Sequence, residues 1–194
     1  LEDNILALTQ KTRFTFMTTT ADLIVQGLKD LGLSHLFCLP GVQNDDFFDA
    51  LYPHRDTVRP IQVRHEQAAG YMALGASLAT GQPQAYCVVP GPGFLNTTAA
   101  LSTAYAVNAP VLALIGQIPT GAIDREYGLL HEIPNQEGIL GSLTKHATRI
   151  LKPEKAKSQL HEALTALVNG RPRPVGIECP MNIWGSEVGP DSTL

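Results

Sequence analysis

Residues 61–93 read IQVRHEQAAGYMALGASLATGQPQAYCVVPGPG, and this stretch decides the fold. A short apolar run at 61–63 is followed by a helical pattern from Glu66 to Thr80, which Gly81 ends. A second apolar run at 85–89 stops at Pro90. A strand, a helix and another strand with short connections predict parallel strands, because the crossover returns the chain to the same edge of the sheet.

The same alternation continues on both sides of this stretch. It predicts strands at 36–39, 61–63, 85–89, 111–115, 147–151 and 175–179, and helices at 20–31, 45–51, 66–80, 94–107 and 153–168. The expected fold is α/β and three-layered, a doubly wound, mostly parallel sheet of about six strands with helices on both faces. Ligands bind such sheets at the carboxyl ends of the strands, which points to the turns at 40–41, 65–66, 90–93 and 116–117.

Charge is unevenly distributed along the 194 residues. The 14 Lys and Arg against 18 Asp and Glu give a formal net charge of −4, with no basic run. This balance argues against nucleic acid or an anionic membrane as the main partner. No charged residue or histidine occurs from Gln67 to Ile123, but glycines and prolines interrupt that stretch too often for a membrane span. We therefore expect elements buried on every side, in part against another chain or domain.

The domain organisation and the compartment follow from simpler features. Residues 1–16 are expected to be an expression tag or an upstream extension, disordered or loosely packed, ahead of one domain over 17–184. Cys38, Cys87 and Cys179 occur singly in apolar contexts, without C-x-x-C spacing. This pattern predicts buried thiols in a reducing compartment, and hence a cytoplasmic protein.

The Pro-Gly-Pro-Gly turn at 90–93 has the spacing of a nucleotide-binding loop. Two features disfavour a dinucleotide: Pro90 and Pro92 lack the N–H groups that hold phosphate, and the next strand lacks an acidic residue for the ribose. Two interpretations remain. The turn is either a stiff loop whose glycines let a flat ligand approach the backbone, or a plain tight turn.

Glu66 is the main candidate for a proton-handling group. It opens a helix that carries no other charge, so the helix N-terminus favours the ionised carboxylate while apolar surroundings favour the neutral form. The alternative is a surface glutamate that only complements the helix dipole. Neither His65-Glu66 nor His131-Glu132 continues as an H-E-x-x-H motif, so no metal site is predicted.

Small residues dominate the predicted helices at 66–80 and 94–107. Short side chains let helix backbones approach closely. A single core could absorb one such helix, whereas two favour a tight interface between chains.

Six segments carry a family resemblance through their order and spacing: RHEQAAGYMA (64–73), ATGQP (79–83), GPGFLN (91–96), APV (109–111), IGQIP (115–119) and GRPRPV (170–175). Together they resemble the N-terminal, pyrimidine-binding (PYR) domain of thiamine-diphosphate-dependent enzymes, in the group of acetolactate synthase and benzoylformate decarboxylase. The resemblance extends from Thr19 to Trp184.

The resemblance implies a role for each matching residue. Glu66 corresponds to the catalytic glutamate that hydrogen-bonds N1′ of the cofactor's aminopyrimidine and favours the tautomer that activates C2. Cofactor-binding roles are implied for Glu66 and for Pro40, Gly41, Gly91, Pro92, Gly93 and Asn96. Gln117 and His131 correspond to the substrate side, where Leu130-His131-Glu132 replaces the Phe-Gln-Glu of many acetolactate synthases.

The resemblance also implies a larger enzyme. It would be a lyase or transferase that decarboxylates a small 2-oxo acid or ligates the product, and this chain would be inactive alone. Mg²⁺ is expected on an absent diphosphate-binding domain with Gly-Asp-Gly and Asn-Asn motifs; neither Gly-Asp nor Asn-Asn occurs in these 194 residues. Residues 185–194 are expected to begin a linker to a middle domain, for which FAD is a candidate ligand.

Partners follow from the same resemblance. The cofactor of the family lies between domains of two subunits, which implies a homodimer through helices 66–80 and 94–107. Two alternatives remain open: a separate PYR subunit of a split 2-oxo acid decarboxylase, and a non-catalytic dimerisation domain.

Overall fold

The computed structural model describes residues 18–189, whose strands form one parallel sheet. Its strands are β1 His35–Leu39, β2 Arg59–Gln62, β3 Gln84–Val88, β4 Val111–Gln117, β5 His146–Arg149 and β6 Val175–Pro180. They are ordered β2-β1-β3-β4-β6-β5, and every neighbouring pair is parallel. The predicted six-stranded α/β sheet is therefore confirmed.

Helices cover both faces of this sheet. In the described residues they are α1 Thr20–Asp30, α2 Asp45–Leu51, α3 Glu66–Thr80, α4 Pro92–Leu95, α5 Thr98–Ala106, α6 Gln136–Ser142, α7 Pro153–Val168 and α8 Met181–Trp184. Short 3-10 helices occur at Val42–Asn44, Tyr52–His54 and Thr120–Ala122. None of the helices within residues 18–189 is long and apolar enough to cross a membrane.

Alternation along the strands divides the core into two halves. Leu112 and Leu114 of β4 face the core formed with α1, α2, α7 and α8. Val111, Ala113 and Ile115 face the core formed with α3, α4, α5 and α6. Side chains of a strand point alternately to opposite faces, so an apolar strand such as β4 is buried on both sides.

The three cysteines are buried and free, as predicted. Cys38 of β1 and Cys87 of β3 are register partners on neighbouring strands, and Cys179 lies in the same half of the core. Burial raises the pKa of the Cys38 thiol to about 11 and that of Cys87 well above its ordinary value. Thiols held in their neutral form in this way are poor nucleophiles.

Two predicted segments differ from the structure. The helix expected at 94–107 is divided into α4 and α5. The buried Thr97 hydroxyl lies between them, 2.7 Å from the Phe94 carbonyl oxygen and 2.9 Å from the Tyr86 hydroxyl. Helix α6 is not among the helices predicted above, because Gly138 and Gly141 obscure its helical periodicity.

The ends of the described chain are joined to each other. The Thr20 N–H donates to the Ser186 carbonyl and the Val188 N–H to the Thr18 carbonyl, at 3.0 and 2.8 Å. The extension expected at residues 1–16 lies outside the described residues, and the proposed linker from 185 stays a prediction.

Helices α3 and α5 pack together through their small residues. A Cβ on Gly70 would lie 2.8 Å from the Ala100 Cβ, so the glycine sets how closely the helices approach. Gly75, on the exposed side of α3, has no atom within 4 Å of such a Cβ.

The two glycines of α3 provide a matched test of this packing. Gly70→Ala and Gly75→Ala gain the same helix propensity, but only the first adds a methyl group to a filled contact. We expect Gly70→Ala to have a free energy of unfolding lower than that of Gly75→Ala by about 1–3 kcal/mol. Urea denaturation measures the difference, and equal stabilisation by both changes would contradict the packing described.

Candidate functional site

The turns after β1, β2 and β3 meet at the carboxyl edge of the sheet, around the side chain of Val89. Added Cβ atoms on Gly41 and Gly93 would each lie 2.6 Å from a Val89 methyl carbon. The Gly93 Cβ would also lie 3.6 Å from Glu66 Oε1. The structure therefore brings together three of the turns that the sequence patterns indicated. The backbone of Gly93, which has no side chain, lies there beside the Glu66 carboxylate.

Glu66 is held at the first position of α3. The preceding residue, His65, caps the helix by accepting the Gln67 N–H on Nδ1 at 3.2 Å. Asn96 Nδ2 donates to Glu66 Oε2 at 2.9 Å, and the Glu66 side chain is half-buried. Within residues 18–189 Asn96 is the only hydrogen-bond partner of this carboxylate, which leaves Oε1 for a ligand.

The Gly91–Gly93 turn directs its amides inward. The Gly91 N–H donates to Gln136 Oε1 at 2.7 Å, and the Gly93 N–H donates to the Pro90 carbonyl at 3.2 Å. Pro92 has no N–H to offer. Because these amides are already used, the turn cannot act as a phosphate cradle of the dinucleotide type.

Gly91 also requires the absence of a side chain. Its φ of +58° lies in the left-handed region, and an added Cβ would collide with the carbonyl oxygen of His131. The segment around His131 therefore lies directly over the turn. His131 itself has a φ of +70° and is half-buried, and its Nδ1 is buried without a partner in the described structure.

Gln117 ends β4 and is only 3% exposed. Its Nε2 donates to Glu178 Oε1 at 2.8 Å, and its Oε1 accepts the Ile118 N–H at 2.7 Å. Its side-chain amide is thus engaged inside the domain. Its role towards a substrate stays a prediction, as does that of His131.

Glu178 of β6 is fully buried beneath this edge. Arg149 Nε donates to Glu178 Oε1 at 2.6 Å, and the same guanidinium lies 3.5 Å from Glu137 Oε2. Burial raises the pKa of the Glu178 carboxyl, and the charge of Arg149 opposes that shift. Glu178 therefore anchors Gln117 and Arg149 from below the site.

Sequence reasoning missed Gln136 and Glu178. Glu178 had a usable signal, since an acidic residue within a strand that is otherwise apolar is rarely buried without a partner. Gln136 had none, because its partners lie 45 and 20 residues away in the sequence.

Gly41 and Gly93 let their turns pack directly against Val89, where a Cβ on either would not fit. The arrangement leaves Glu66 Oε1 as a hydrogen-bond acceptor at the sheet edge, next to the Gly93 backbone. Within residues 18–189 no three His, Cys, Asp or Glu side chains converge to hold a metal ion.

Comparison with known proteins agrees with this geometry. Residues 18–139 match the family described as "Thiamine pyrophosphate enzyme, N-terminal TPP binding domain". The chain is 36% identical to a probable acetolactate synthase large subunit of Methanocaldococcus jannaschii, over 87% of this chain and 28% of that protein. It is 34% identical to the acetolactate synthase isozyme 3 large subunit of Escherichia coli, over 86% of this chain and 28% of that protein.

A further relative is named as a decarboxylase. The probable 2-ketoarginine decarboxylase AruI of Pseudomonas aeruginosa is 30% identical over 89% of this chain and 31% of its own length. The chain thus spans less than a third of each of these curated relatives. The match over residues 18–139 and the edge built around Glu66 lead to one conclusion: the chain belongs to the thiamine pyrophosphate enzymes, as their N-terminal TPP-binding domain.

Proposed function

We propose that this domain supplies Glu66 to the aminopyrimidine of thiamine diphosphate in a 2-oxo acid decarboxylase or carboligase of the acetolactate synthase type. The observation that carries the proposal is the Glu66 carboxylate, fixed by Asn96 through Oε2 and open at Oε1 beside Gly93. A carboxylate oxygen available at the sheet edge can pair with a ring nitrogen, so the residues present suit the pyrimidine end of the cofactor.

The hydrogen bond from Asn96 gives the two carboxylate oxygens of Glu66 different roles. Because the Asn96 amide donates to Oε2, that oxygen acts as an acceptor, and Oε1 is the atom that would carry a proton to the N1′ ring nitrogen. When bound, thiamine diphosphate supplies the thiazolium that stabilises the carbanion left by decarboxylation.

The remaining cofactor-binding roles are proposed for Pro40, Gly41, Gly91 and Pro92, with Gln117 and His131 on the substrate side. The diphosphate and Mg²⁺ would be held by a separate diphosphate-binding domain, because the Gly91 and Gly93 amides are engaged internally. FAD is a candidate ligand for a middle domain of the parent enzyme.

A homodimer is proposed through α3 and the segment 94–107. Both carry exposed apolar side chains on a surface without charge: Tyr71, Met72, Leu78, Leu95 and Val107. Exposed apolar patches of this kind are typical of protein interfaces. The free, buried cysteines favour a cytoplasmic location.

Two other functions stay open as alternatives. In a split enzyme this domain would be one subunit and a second polypeptide would supply the diphosphate domain, so a partner chain of similar size would co-purify with it. A non-catalytic dimerisation domain would keep the interface but would not need the Glu66 carboxyl group.

Changing Glu66→Gln in the full-length protein tests the proposed function. Glutamine cannot pass a proton to the ring, so we expect kcat for CO₂ release from a 2-oxo acid such as pyruvate to fall about 10²–10⁴-fold. The matched control is Glu154→Gln, which changes the first-turn glutamate of α7 at the far end of the same sheet edge. Turnover unaffected by Glu66→Gln would favour the dimerisation domain instead.

Changing Leu78→Lys tests the proposed interface. Leu78 is 57% exposed on α3, and a charge placed there would lose its hydration on association. We expect the dimer dissociation constant to rise at least about tenfold in sedimentation equilibrium. Val168→Lys is the matched control, because Val168 is 56% exposed but lies on α7, across the sheet. Equal effects of the two changes would contradict an interface at α3.

A further inference from the structure

Gln136 is a buried residue without an assigned role whose side-chain amide uses both its acceptor and its donor. Its side chain is 1% exposed at the start of α6. Oε1 accepts the Gly91 N–H at 2.7 Å, and Nε2 donates to the Gly116 carbonyl at 3.1 Å. One side-chain amide thereby links the turn after β3 to the end of β4.

A side-chain amide is well suited to link Gly91 to Gly116. A backbone N–H and a backbone carbonyl must both be satisfied by one uncharged side chain, which needs an acceptor and a donor in a fixed fork. An apolar side chain of the same length would leave the buried Gly91 N–H unpaired, at the cost of its desolvation, and would remove the contact with the Gly116 carbonyl.

Gly91, the residue of the turn that Gln136 holds, depends on backbone contacts for its position. Gly91 has a left-handed φ of +58° and no side chain, so packing of its own cannot fix it. The carbonyl of His131 lies over it on one side and leaves no room for a Cβ. A hydrogen bond at its N–H is then the contact that sets where the turn begins.

A short series of hydrogen bonds connects Gly91 to the Glu66 carboxylate. The Leu95 N–H donates to the Gly91 carbonyl at 2.9 Å, and the Asn96 N–H donates to the Pro92 carbonyl at 3.0 Å. Asn96 Nδ2 in turn donates to Glu66 Oε2 at 2.9 Å. Displacement of Gly91 would therefore carry Asn96 away from Glu66.

The Gly116 carbonyl that Gln136 holds belongs to a fixed part of the sheet. The next residue, Gln117, donates through Nε2 to the buried Glu178 carboxyl at 2.8 Å. Gln136 is therefore attached to a rigid strand end, as a positioning group requires.

We propose that Gln136 is a positioning residue: it clamps Gly91 to Gly116 and so fixes the Asn96–Glu66 pair against the cofactor's pyrimidine. This inference rests on the proposed function, because it assigns Gln136 a part in the work of Glu66. Gln136 acts only through the turn and touches neither cofactor nor substrate.

Two variants of the full-length protein test the clamp. Gln136→Met keeps the length of the side chain but cannot form its hydrogen bonds. Gln136→Asn keeps the amide group, but its side chain is one methylene shorter and cannot reach both partners. The matched control is Gln159→Met, which removes an amide that donates to Thr148 Oγ1 and the Arg149 carbonyl, at 2.8 and 3.0 Å. If one of the Gln136 variants fails to fold, the other carries the measurement.

Hydrogen exchange is the first readout. Pro90 and Pro92 have no amide hydrogen, so exchange at the start of the 89–97 peptide reports mainly on Gly91. We expect that amide to exchange about tenfold faster in the Gln136 variants than in the wild type or the Gln159→Met control. Unchanged protection would overturn the clamp.

The second readout separates positioning from folding. With saturating thiamine diphosphate and Mg²⁺, we expect exchange of the cofactor's C2 proton into D₂O to slow about 10- to 100-fold in the Gln136 variants. The dissociation constant for the cofactor should match that of Gln159→Met, with every variant measured at a temperature at which it is folded. Normal C2 exchange in the Gln136 variants would overturn the positioning role while leaving the proposed function intact.

A different result would identify failure of the proposed function. If the wild-type protein neither binds thiamine diphosphate nor exchanges its C2 proton, the proposed function is wrong and the positioning role is overturned with it. Normal wild-type exchange that is lost in Glu66→Gln but retained in Gln136→Met would overturn only the inference about Gln136.

Discussion

The hydrogen bond from Asn96 Nδ2 to Glu66 Oε2 joins two crossovers of the sheet at one point. Glu66 begins the helix after β2, and Asn96 follows the short helix after β3. The turn that leads to Asn96 lies close to Glu66 at Gly93, where an added Cβ would meet Val89 at 2.6 Å and Glu66 Oε1 at 3.6 Å. The rest of the site depends on this pair, because it makes one carboxylate oxygen an acceptor and leaves the other exposed at the sheet edge.

The long stretch without charge has two structural uses. One side of α3 and α5 is buried, with Gly70 against Ala100, and the other presents apolar side chains such as Leu78 to solvent in this domain. A charge on the first side would be desolvated in the core, and a charge on the second would weaken the proposed association with a partner. The same stretch also contains β3 and β4, which are buried in the sheet and equally unsuited to charge.

Sequence patterns predicted the architecture because parallel crossovers leave few choices. Once the strands around Glu66 were identified, the rule for carboxyl edges predicted that the turns at Gly41 and Gly93 would lie near it, as the structure shows. The break at Thr97 and helix α6 were not predicted, since one depends on a hydroxyl bonded across the core and the other contains two glycines. The bond between Gln136 and Gly91 joins residues 45 positions apart, and no local pattern records such a contact.

We propose that this domain holds only the pyrimidine end of thiamine diphosphate, through Glu66. A calorimetric titration of the isolated chain with thiamine diphosphate, in the presence and absence of Mg²⁺, tests this proposal. We expect weak binding, with a dissociation constant no tighter than about 1 mM, and no effect of Mg²⁺. Tight binding that requires Mg²⁺ would contradict it, because the domain would then hold the diphosphate itself.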